Sequence, residues 1–430
     1  MLALRTPFPS LRRGPLFSLI SSLVLLCASG AFGAEWHGTE TKDADGVVHV
    51  VSPAEPGNGS ATVQLDEMWR IGGDTDDEDQ IFGLISKVLT GPKGDLYALD
   101  SQLSEIKVFS PEGEYLRTIG REGEGPGEFR GAQDMFFLPN GDIAVLQVFP
   151  GRLVVLKPDG EPADDHSLPS ADEGGFVLLY RGGGTVGDNL VLSIGINHFA
   201  DGVFDQKRQI VAIDDAGTIQ KTLYSENRSL TMSTPIFNES EWTSFDRVWT
   251  VGMNGLAYIP TEWNKYQIEV CDGSGAVRYI ERAYEPRKRT SEEKDRWQKI
   301  YDEFTKRQVP GSSWKLEEND QDIGQIFPRN DGSLWVLSSR GRLDAPEGSI
   351  GVFDVFDAKG HYVRQVTLKG EGNPMTDGYF FSGNRLFVVT DFLSAAMSAN
   401  GGSADVLEDE NPEPMAVICY KLEGNELGMK

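Results

Sequence analysis

The chain has 430 residues and carries 66 acidic against 40 basic side chains, which gives a formal net charge of −26 at pH 7. This charge argues against nucleic acid and anionic membrane surfaces as partners, because both are bound through clustered Lys and Arg. Only three cysteines are present, so the fold is expected to depend on a buried apolar core and not on a disulfide framework.

The first 34 residues have the layout of a cleaved secretory signal peptide. Several arginines precede an apolar stretch, Leu16 to Ala28, and small residues follow it. This stretch is too short for a comfortable spanning helix, and no other segment approaches eighteen apolar residues. Twin-arginine export and lipid anchoring at Cys27 are weaker alternatives, since the flanking residues do not fit. We expect an exported protein, periplasmic or secreted, without a transmembrane segment.

Two segments precede the main repeats. Residues 35–61 are polar and rich in Gly, Pro, Asp and Thr, and this composition favours a flexible leader. Thr62 to Ile71 then has the pattern of a strand but no partner beside it in the sequence. The folded domain is predicted to span residues 62–430.

One pattern recurs six times in that domain: a Gly or Asn turn, an apolar strand, a loop, a second apolar strand and another Gly turn. The apolar residues that open the first three copies, Leu96, Ile143 and Leu190, lie 47 residues apart. Repeats of about 40 to 50 residues are typical of β-propeller blades, since one twisted sheet cannot bury both of its faces alone. The sequence therefore predicts an all-β, six-bladed β-propeller.

The two ends of the domain complete one blade. The last repeat supplies three strands and ends near Leu422, whereas the first repeat is preceded by the orphan strand Thr62 to Ile71. We predict that this strand is the outer strand of the last blade and closes the ring. An internal match supports the prediction, because the Ile-Gly pair and the later Phe at positions 71, 72 and 82 recur at 119, 120 and 129.

The repeat from Gly91 to Phe129 resembles the NHL-type six-bladed propellers, in particular the exported bacterial ones. It has a Gly-Asp turn, Asp100 at the end of the second strand, an I-x-V-F strand, a P-x-G turn and a Gly-rich loop that ends in Phe. The resemblance spans about Thr62 to Gly424, although only the first two blades match closely. It implies the fold and no single activity, because this propeller hosts lyases, lactonases, protein-binding and RNA-binding members.

Every long insertion falls in a loop that emerges on one face of such a propeller, which is where binding usually resides. The insertion 287–313 contains the one predicted helix: Thr290 and Glu293 have the spacing of a capping box. An apolar stripe follows at helical spacing and consists of Trp297, Ile300, Tyr301 and Phe304. Two interpretations stay open, a lid or docking helix over the channel mouth and a helix that packs on the rim.

Candidate ligand-binding residues fall in two groups. Counting back from each Gly turn aligns polar residues of the innermost strands along the channel: Lys87, Asp134, Arg247 and Gln325, with Asp377 as a candidate in the last blade. Such a ring would bind a zwitterionic or polar ligand, or form a structural salt-bridge network. Arg340 and Arg342 in the fifth-blade loop are candidate anchors for a carboxylate or acidic peptide, and pairing with nearby acids is the alternative.

No motif indicates catalysis, a metal or a cofactor. Of the five His residues, only His198 is expected on the elaborated face, and the acidic loop Gly72 to Gln80 lacks the Gly and the terminal Glu of an EF-hand. Cys271 and Cys419 fall in blades that are not neighbours, so both thiols are expected to be free. The sequence thus favours a monomeric binding scaffold for a protein, peptide or small polar ligand, and the alternative is a propeller lyase or lactonase.

Overall fold

A computed structural model describes residues 36–243, 248–403, 407 and 414–422. Within these ranges the chain forms seven β-sheets, of which six are the blades of a β-propeller and one is a two-stranded sheet outside the blades, so the predicted fold is confirmed. The segment predicted as a signal peptide lies outside the described residues. Within the described ranges, no helix combines the length and the apolar composition needed to cross a membrane.

The N-terminal segment supplies strands to the outer edges of the last three blades. These strands are β1 (Thr39–Lys42), β2 (Val48–Ser52), β3 (Ser60–Gln64) and β4 (Asp66–Gly72). β1 and β2 form a hairpin on blade 4, β3 pairs in parallel with the outer strand of blade 5, and β4 pairs in antiparallel fashion within blade 6. A 3₁₀ turn over Glu78–Gln80 leads into blade 1.

The first three blades follow in chain order. Blade 1 consists of β5 (Ile85–Thr90), β6 (Leu96–Asp100), β7 (Glu105–Phe109) and β8 (Tyr115–Ile119). Blade 2 consists of β9 (Ala132–Phe137), β10 (Ile143–Gln147) and β11 (Arg152–Leu156), and residues 162–166 join its outer edge through isolated bridges. Blade 3 has longer strands, β12 (Gly175–Val186), β13 (Asn189–Ala200), β14 (Val203–Ile213) and β15 (Ile219–Thr231).

The helices lie in the second half of the chain. After β16 (Ile236–Asn238) and α1 (Glu239–Trp242), blade 4 consists of β17 (Thr250–Val251), β18 (Ala257–Pro260), β19 (Gln267–Asp272) and β20 (Gly275–Arg282). Then come α2 (Ser291–Thr305) and β21 (Ser313–Lys315). Blade 5 contains β22 (Ile323–Pro328), β23 (Leu334–Ser338), α3 (Ser339–Leu343), β24 (Ser349–Phe356) and β25 (Tyr362–Lys369). Blade 6 contains β26 (Gly378–Ser382), β27 (Arg385–Val389), α4 (Phe392–Ala399) and β28 (Ala416–Lys421).

The interpretation of residues 35–61 as a flexible leader is wrong. Val50 of β2 is fully buried, and the backbone N–H groups of Gly57 and Asn58 donate to carbonyls of blade 5. The polar composition was misleading because a strand added at an outer edge is held mainly by backbone hydrogen bonds and needs few apolar residues. The predicted strand Thr62 to Ile71 is in fact divided: residues 62–64 belong to β3 on blade 5, and residues 66–72 form β4 beside β28 on blade 6.

The core consists of six apolar clusters, one at each junction between neighbouring blades. At the junction of blades 6 and 1, for example, Ile71 of β4 packs with Leu96 of β6 and Phe387 of β27. Each inner strand therefore has apolar neighbours on both faces, which explains its nearly continuous apolar run. Cys271 and Cys419 are buried in two of these clusters and are free, as predicted.

The internal match between the two Gly-rich loops has a structural reason. Gly72 and Gly120 both have positive φ angles, of 82° and 76°, which favour glycine. A Cβ atom at Gly72 would lie 2.7 Å from the Phe82 ring, and one at Gly120 would lie 2.5 Å from the Phe129 ring. Each phenylalanine therefore closes its inter-blade loop against a glycine, and no larger residue fits there.

The polar residue at the end of the second strand holds the loop that follows. Asp100 is fully buried and accepts hydrogen bonds from the backbone N–H groups of Gly83, Leu84, Gln102 and Leu103 at 2.7–3.1 Å. Gln147 in blade 2 and Ser338 in blade 5 occupy equivalent positions and also accept backbone N–H groups. A polar side chain at the end of the second strand therefore accepts backbone N–H groups even in blades that lack the Asp of the repeat.

Candidate functional site on the loop-rich face

The four helices of the described residues all lie in loops between blades or between the second and third strands of a blade. We call α1 to α4 the helical cap. Ile300 of α2 packs with Met397 of α4, and Trp297, Phe304 and Leu393 surround this contact. The apolar stripe of α2 is thus covered by the insertion of blade 6. The opposite face has short turns, such as residues 110–114 and 157–161.

A buried ionic network fixes the base of the cap. Glu239 of α1 is fully buried and accepts hydrogen bonds from Arg289 at 2.7 and 2.8 Å and from the Tyr301 hydroxyl at 3.0 Å. Asp320 pairs with Arg289 at 2.6 Å and with Arg287 at 2.7 Å. Because every member has a partner, the network positions α1 and α2 without leaving a buried charge uncompensated.

The N terminus of α2 is formed as its sequence indicates. The Thr290 side chain accepts from the backbone N–H of Glu293, and the Glu293 side chain accepts from the backbone N–H of Thr290. Arg287 lies next to Glu293, and this contact lowers the pKa of the Glu293 carboxyl. The Glu293 carboxylate is therefore ionised, and the Arg287 guanidinium balances its charge.

Arg340 and Arg342 lie on α3 and hold neighbouring segments of the cap. Arg340 donates to the carbonyl of Glu285 at 2.8 Å and lies 3.4 Å from Asp344. Arg342 donates to the carbonyls of Pro374 and Met375 in the loop between blades 5 and 6. The structure thus contains the intramolecular pairing that the sequence left open as an alternative for Arg340.

The structure brings together two of the residues predicted to line the channel, Lys87 and Asp134. Lys87 Nζ lies 2.9 Å from Asp134 Oδ1, and the backbone N–H of Gly182 donates to Asp134 Oδ2 at 2.8 Å. Gln325 lies in the innermost strand of blade 5, where its backbone pairs with Leu337, and its side chain has no hydrogen-bond partner among the described residues. Arg247 lies outside the described residues.

Asp377 has a different environment from the other ring candidates. Its carboxylate accepts from the backbone N–H groups of Asn373 and Asp391 and from the Thr376 hydroxyl, at 2.7–3.1 Å. Burial raises the pKa of this carboxyl. Asp377 is therefore engaged in holding the loops of blade 6.

Sequence reasoning missed Arg181, which occupies the channel. Its guanidinium lies 5.6 Å from the ring centroid of Phe392, at the start of α4 in blade 6, although Arg181 belongs to blade 3. It also donates to the carbonyl of Ser86 in blade 1, at 3.5 Å. Contacts between opposite blades place this side chain across the channel. No local pattern marks Arg181, because its contacts are with residues of blades that are distant in the sequence.

A cavity of about 100 Å³ lies between α2, α3 and the loop before blade 6. Its lining comprises Arg287, Glu293, Arg296, Trp297, Leu343 and Met375. Arg296 was also missed by the sequence, because it lies on α2 among alternating charges that are typical of a solvated helix face. The cavity combines guanidinium groups with an apolar wall.

Asp322, directly before β22, is a second buried carboxyl near the cap. It is 2% exposed, and its Oδ1 atom has no hydrogen-bond partner among the described residues. Burial raises the pKa of Asp322 to about 6, although Arg282 and Arg340 act in the opposite direction. The charged form is therefore poorly solvated in the folded protein.

We expect Asp322→Asn to stabilise the protein at pH 8 by about 1–3 kcal/mol, since one pKa unit corresponds to about 1.4 kcal/mol. The folded pKa lies above the model-compound value, so the carboxyl of the wild type favours folding only at low pH, and this contribution is lost as the pH rises towards 6. The gain from Asn should vanish near pH 3.5. Urea unfolding of the wild type and the variant at pH 8 and pH 3.5 measures this gain in stability. An equal gain at the two pH values would contradict a raised pKa of the Asp322 carboxyl. Asp320→Asn is the control and should destabilise, because Asp320 is ion-paired.

The acidic loop Gly72 to Gln80 is organised by a side chain of the protein. Lys107 is 5% exposed, and its ammonium donates to the carbonyls of Glu78, Asp79 and Ile81 at 3.1 Å each. In the described part of the chain, no three His, Cys, Asp or Glu side chains come together in a geometry that would hold a metal ion. His198 pairs within the β12–β13 ladder, opposite Gly175.

Comparison with known proteins identifies the fold. A profile of the DUF5128 family, a six-bladed β-propeller family, matches residues 41–170. No curated protein matches the chain. A solved structure from Bacteroides fragilis NCTC 9343, named as a candidate exported protein, is 14% identical, with a TM-score of 0.47 and coverage of 87% of this chain and 100% of its own.

Two further solved structures have the same kind of similarity. A member of the DUF4221 family from Bacteroides vulgatus is 12% identical, with a TM-score of 0.46 and coverage of 84% of this chain and 98% of its own. Virginiamycin B lyase from Staphylococcus aureus is 8% identical, with a TM-score of 0.39 and coverage of 82% and 98%. At such identities the similarity concerns the fold alone.

Proposed function

We propose that this chain is an exported binding protein that holds a protein, peptide or small polar ligand on its loop-rich face, at the helical cap. The observation that carries the proposal is the asymmetry of the propeller: all four helices of the described residues and the cavity beside α2 lie on one face. Elaborated loops on a rigid scaffold are the usual place of binding. The blades hold the loops, and the loops contact the ligand.

The proposed contacts are the residues that the sequence predicted. We rank them by the exposure of their side chains and by the hydrogen-bonding capacity that those side chains retain. Lys87 is partly exposed and uses one of its donors for Asp134, and the Gln325 side chain has no hydrogen-bond partner among the described residues, so both are suited to a polar ligand in the channel. Arg340 is 41% exposed at its side chain and accessible to a carboxylate. Arg342, Asp134 and Asp377 would act by positioning, and Arg247 completes the proposed set.

The alternative function, a propeller lyase or lactonase, would place its substrate at the channel mouth, where Arg181 lies over Phe392. No observation in the described residues favours it over binding. Metal analysis of the purified mature protein separates the two: calcium or zinc retained in stoichiometric amounts through dialysis would favour the enzyme.

Cross-linking of a bound partner tests the proposal, because the chain has lysines on both faces. We expect a partner isolated from the exported fraction to cross-link to Lys294 and Lys299 of α2 and to Lys306 at its C cap. The matched control is the set of lysines in the short turns of the opposite face, Lys93, Lys157 and Lys359, which should form no cross-link to the partner. Cross-links confined to the short turns would refute binding at the cap.

A further inference from the structure

We infer that Arg296 is the anion anchor of a subsite for a carboxylate that is joined to a short apolar group. The inference rests on the proposed function, since it names the ligand chemistry of the same face. It concerns the cavity between α2, α3 and the loop before blade 6. The inference does not depend on the other candidate contacts that were proposed for this face.

Arg296 differs from every other arginine near the cavity. Arg287 contacts three carboxylates, those of Glu293, Asp320 and Asp344, at 2.5–2.7 Å. Arg289, Arg340 and Arg342 are also paired with carboxylates or carbonyls. Arg296 has neither an ion pair nor a hydrogen bond to any described residue, and of its three guanidinium nitrogens only Nε is buried. The two Nη groups are accessible donors without a partner beside the cavity, so an anion in the cavity would satisfy them.

The rest of the lining defines what that ligand must carry besides its charge. Trp297, Leu343 and Met375 supply an apolar wall. Glu293 is the one carboxylate of the lining and is compensated by Arg287 at 2.5 Å. A guanidinium binds a carboxylate through two parallel N–H donors, and the apolar wall excludes water from the remainder of the ligand.

Size and charge restrict the ligand further. A cavity of about 100 Å³ is smaller than a cavity of about 150 Å³ that accepts the six heavy atoms of benzene, so it encloses about four heavy atoms beside the guanidinium, and the rest of a larger ligand extends out of it. A phosphate has no apolar part for the wall. Its second charge would also be repelled by a protein with a net charge of −26.

The same chemistry has two sources, a free branched-chain carboxylic acid and the C terminus of a peptide that ends in an apolar residue. Isovalerate represents the first, and acetyl-Gly-Gly-Leu with a free carboxylate represents the second. Each has a neutral control, the corresponding amide, with almost the same shape. The acid that binds with the higher affinity identifies which of the two sources supplies the carboxylate.

Calorimetric titration of the full mature chain with these four probes tests the inference. We expect each binding acid to bind at least about 10-fold more tightly than its amide, since hydrogen bonds to a charged group are worth about twice those to a neutral one. Arg296→Gln should weaken the acid by about 10- to 100-fold and leave the amide unchanged. Arg296→Lys should retain part of the difference, because Lys keeps the charge but lacks the two-pronged geometry.

Two further variants serve as controls. Arg130→Gln removes the same charge from an exposed arginine of the loop between blades 1 and 2, and should leave affinity within about twofold. Leu343→Trp fills the cavity and should abolish binding of acid and amide alike. Thermal unfolding verifies that each variant is folded.

Equal affinity for acid and amide, an unchanged affinity in Arg296→Gln, or no binding of either acid at 10 mM, roughly the weakest affinity a small fragment shows, would overturn the inference. In that case a partner cross-linked to α2 would leave the proposed function standing, whereas a partner cross-linked to the short turns would remove the function itself. Binding of the acid in preference to its amide, if it depends on Arg296, would support both the inference and the proposed function.

Discussion

Deleting residues 62–71 should abolish cooperative thermal unfolding of the protein. The deletion removes most of β4, so β28 loses its outer antiparallel partner, and it removes three of the five β3 residues that pair with blade 5. It also removes Ile71, which is 2% exposed at the junction of blades 6 and 1. A large-to-small change at such a position alone costs about 2–5 kcal/mol. Differential scanning calorimetry measures the effect.

The control is a mature chain that starts at residue 45. It lacks β1, all of whose residues are exposed, and Trp36, which stacks on His361 at 3.9 Å, so it should lose about 1–2 kcal/mol, melt a few degrees lower and keep a cooperative transition. Unfolding of the 62–71 deletion that remained cooperative at an unchanged temperature would show that β4 does not close the ring.

Glu239→Ala should lower the free energy of unfolding by about 3–5 kcal/mol, because it leaves the buried Arg289 without one of its two carboxylates. It also removes the acceptor of the Tyr301 hydroxyl and of the backbone N–H of Glu317. Urea unfolding measures the loss, and hydrogen exchange should show that residues 291–305 lose protection first.

Glu241→Ala is the matched control for this prediction. Glu241 lies on the same helix, is exposed and bonds to the neighbouring Asn238, so its removal should cost less than about 0.5 kcal/mol. If both variants lost the same small amount, the Glu239 network would not be what holds α1 and α2 together.

The architecture was predictable because it follows from local, repeated patterns. Turn glycines and apolar runs recur at a fixed spacing, and the pairing of Gly72 with Phe82 repeats that of Gly120 with Phe129. The N-terminal strands escaped prediction for a physical reason: an added outer strand such as β3 is selected by backbone hydrogen bonds to β25, which leave little trace in composition.

The candidate site was less predictable, since its properties depend on which charges remain unpaired after folding. Arg340 and Arg342 look free in the sequence, but α3 directs them to carbonyls of neighbouring loops. Arg296 looks solvated among the acids of α2, but it lines a cavity and meets none of those carboxylates. Pairings between segments about 30 or more residues apart, such as Arg342 with Met375, cannot be read from local pattern.

Binding at the helical cap is tested most directly by the hydrogen-exchange footprint of the bound carboxylate probe on the full mature chain. We predict slower exchange in residues 287–301 and 339–343 and in the segment around Met375, with no change in the short turns at 110–114, 157–161 and 357–361. Protection that appeared in those turns, with none in α2 or α3, would contradict the account.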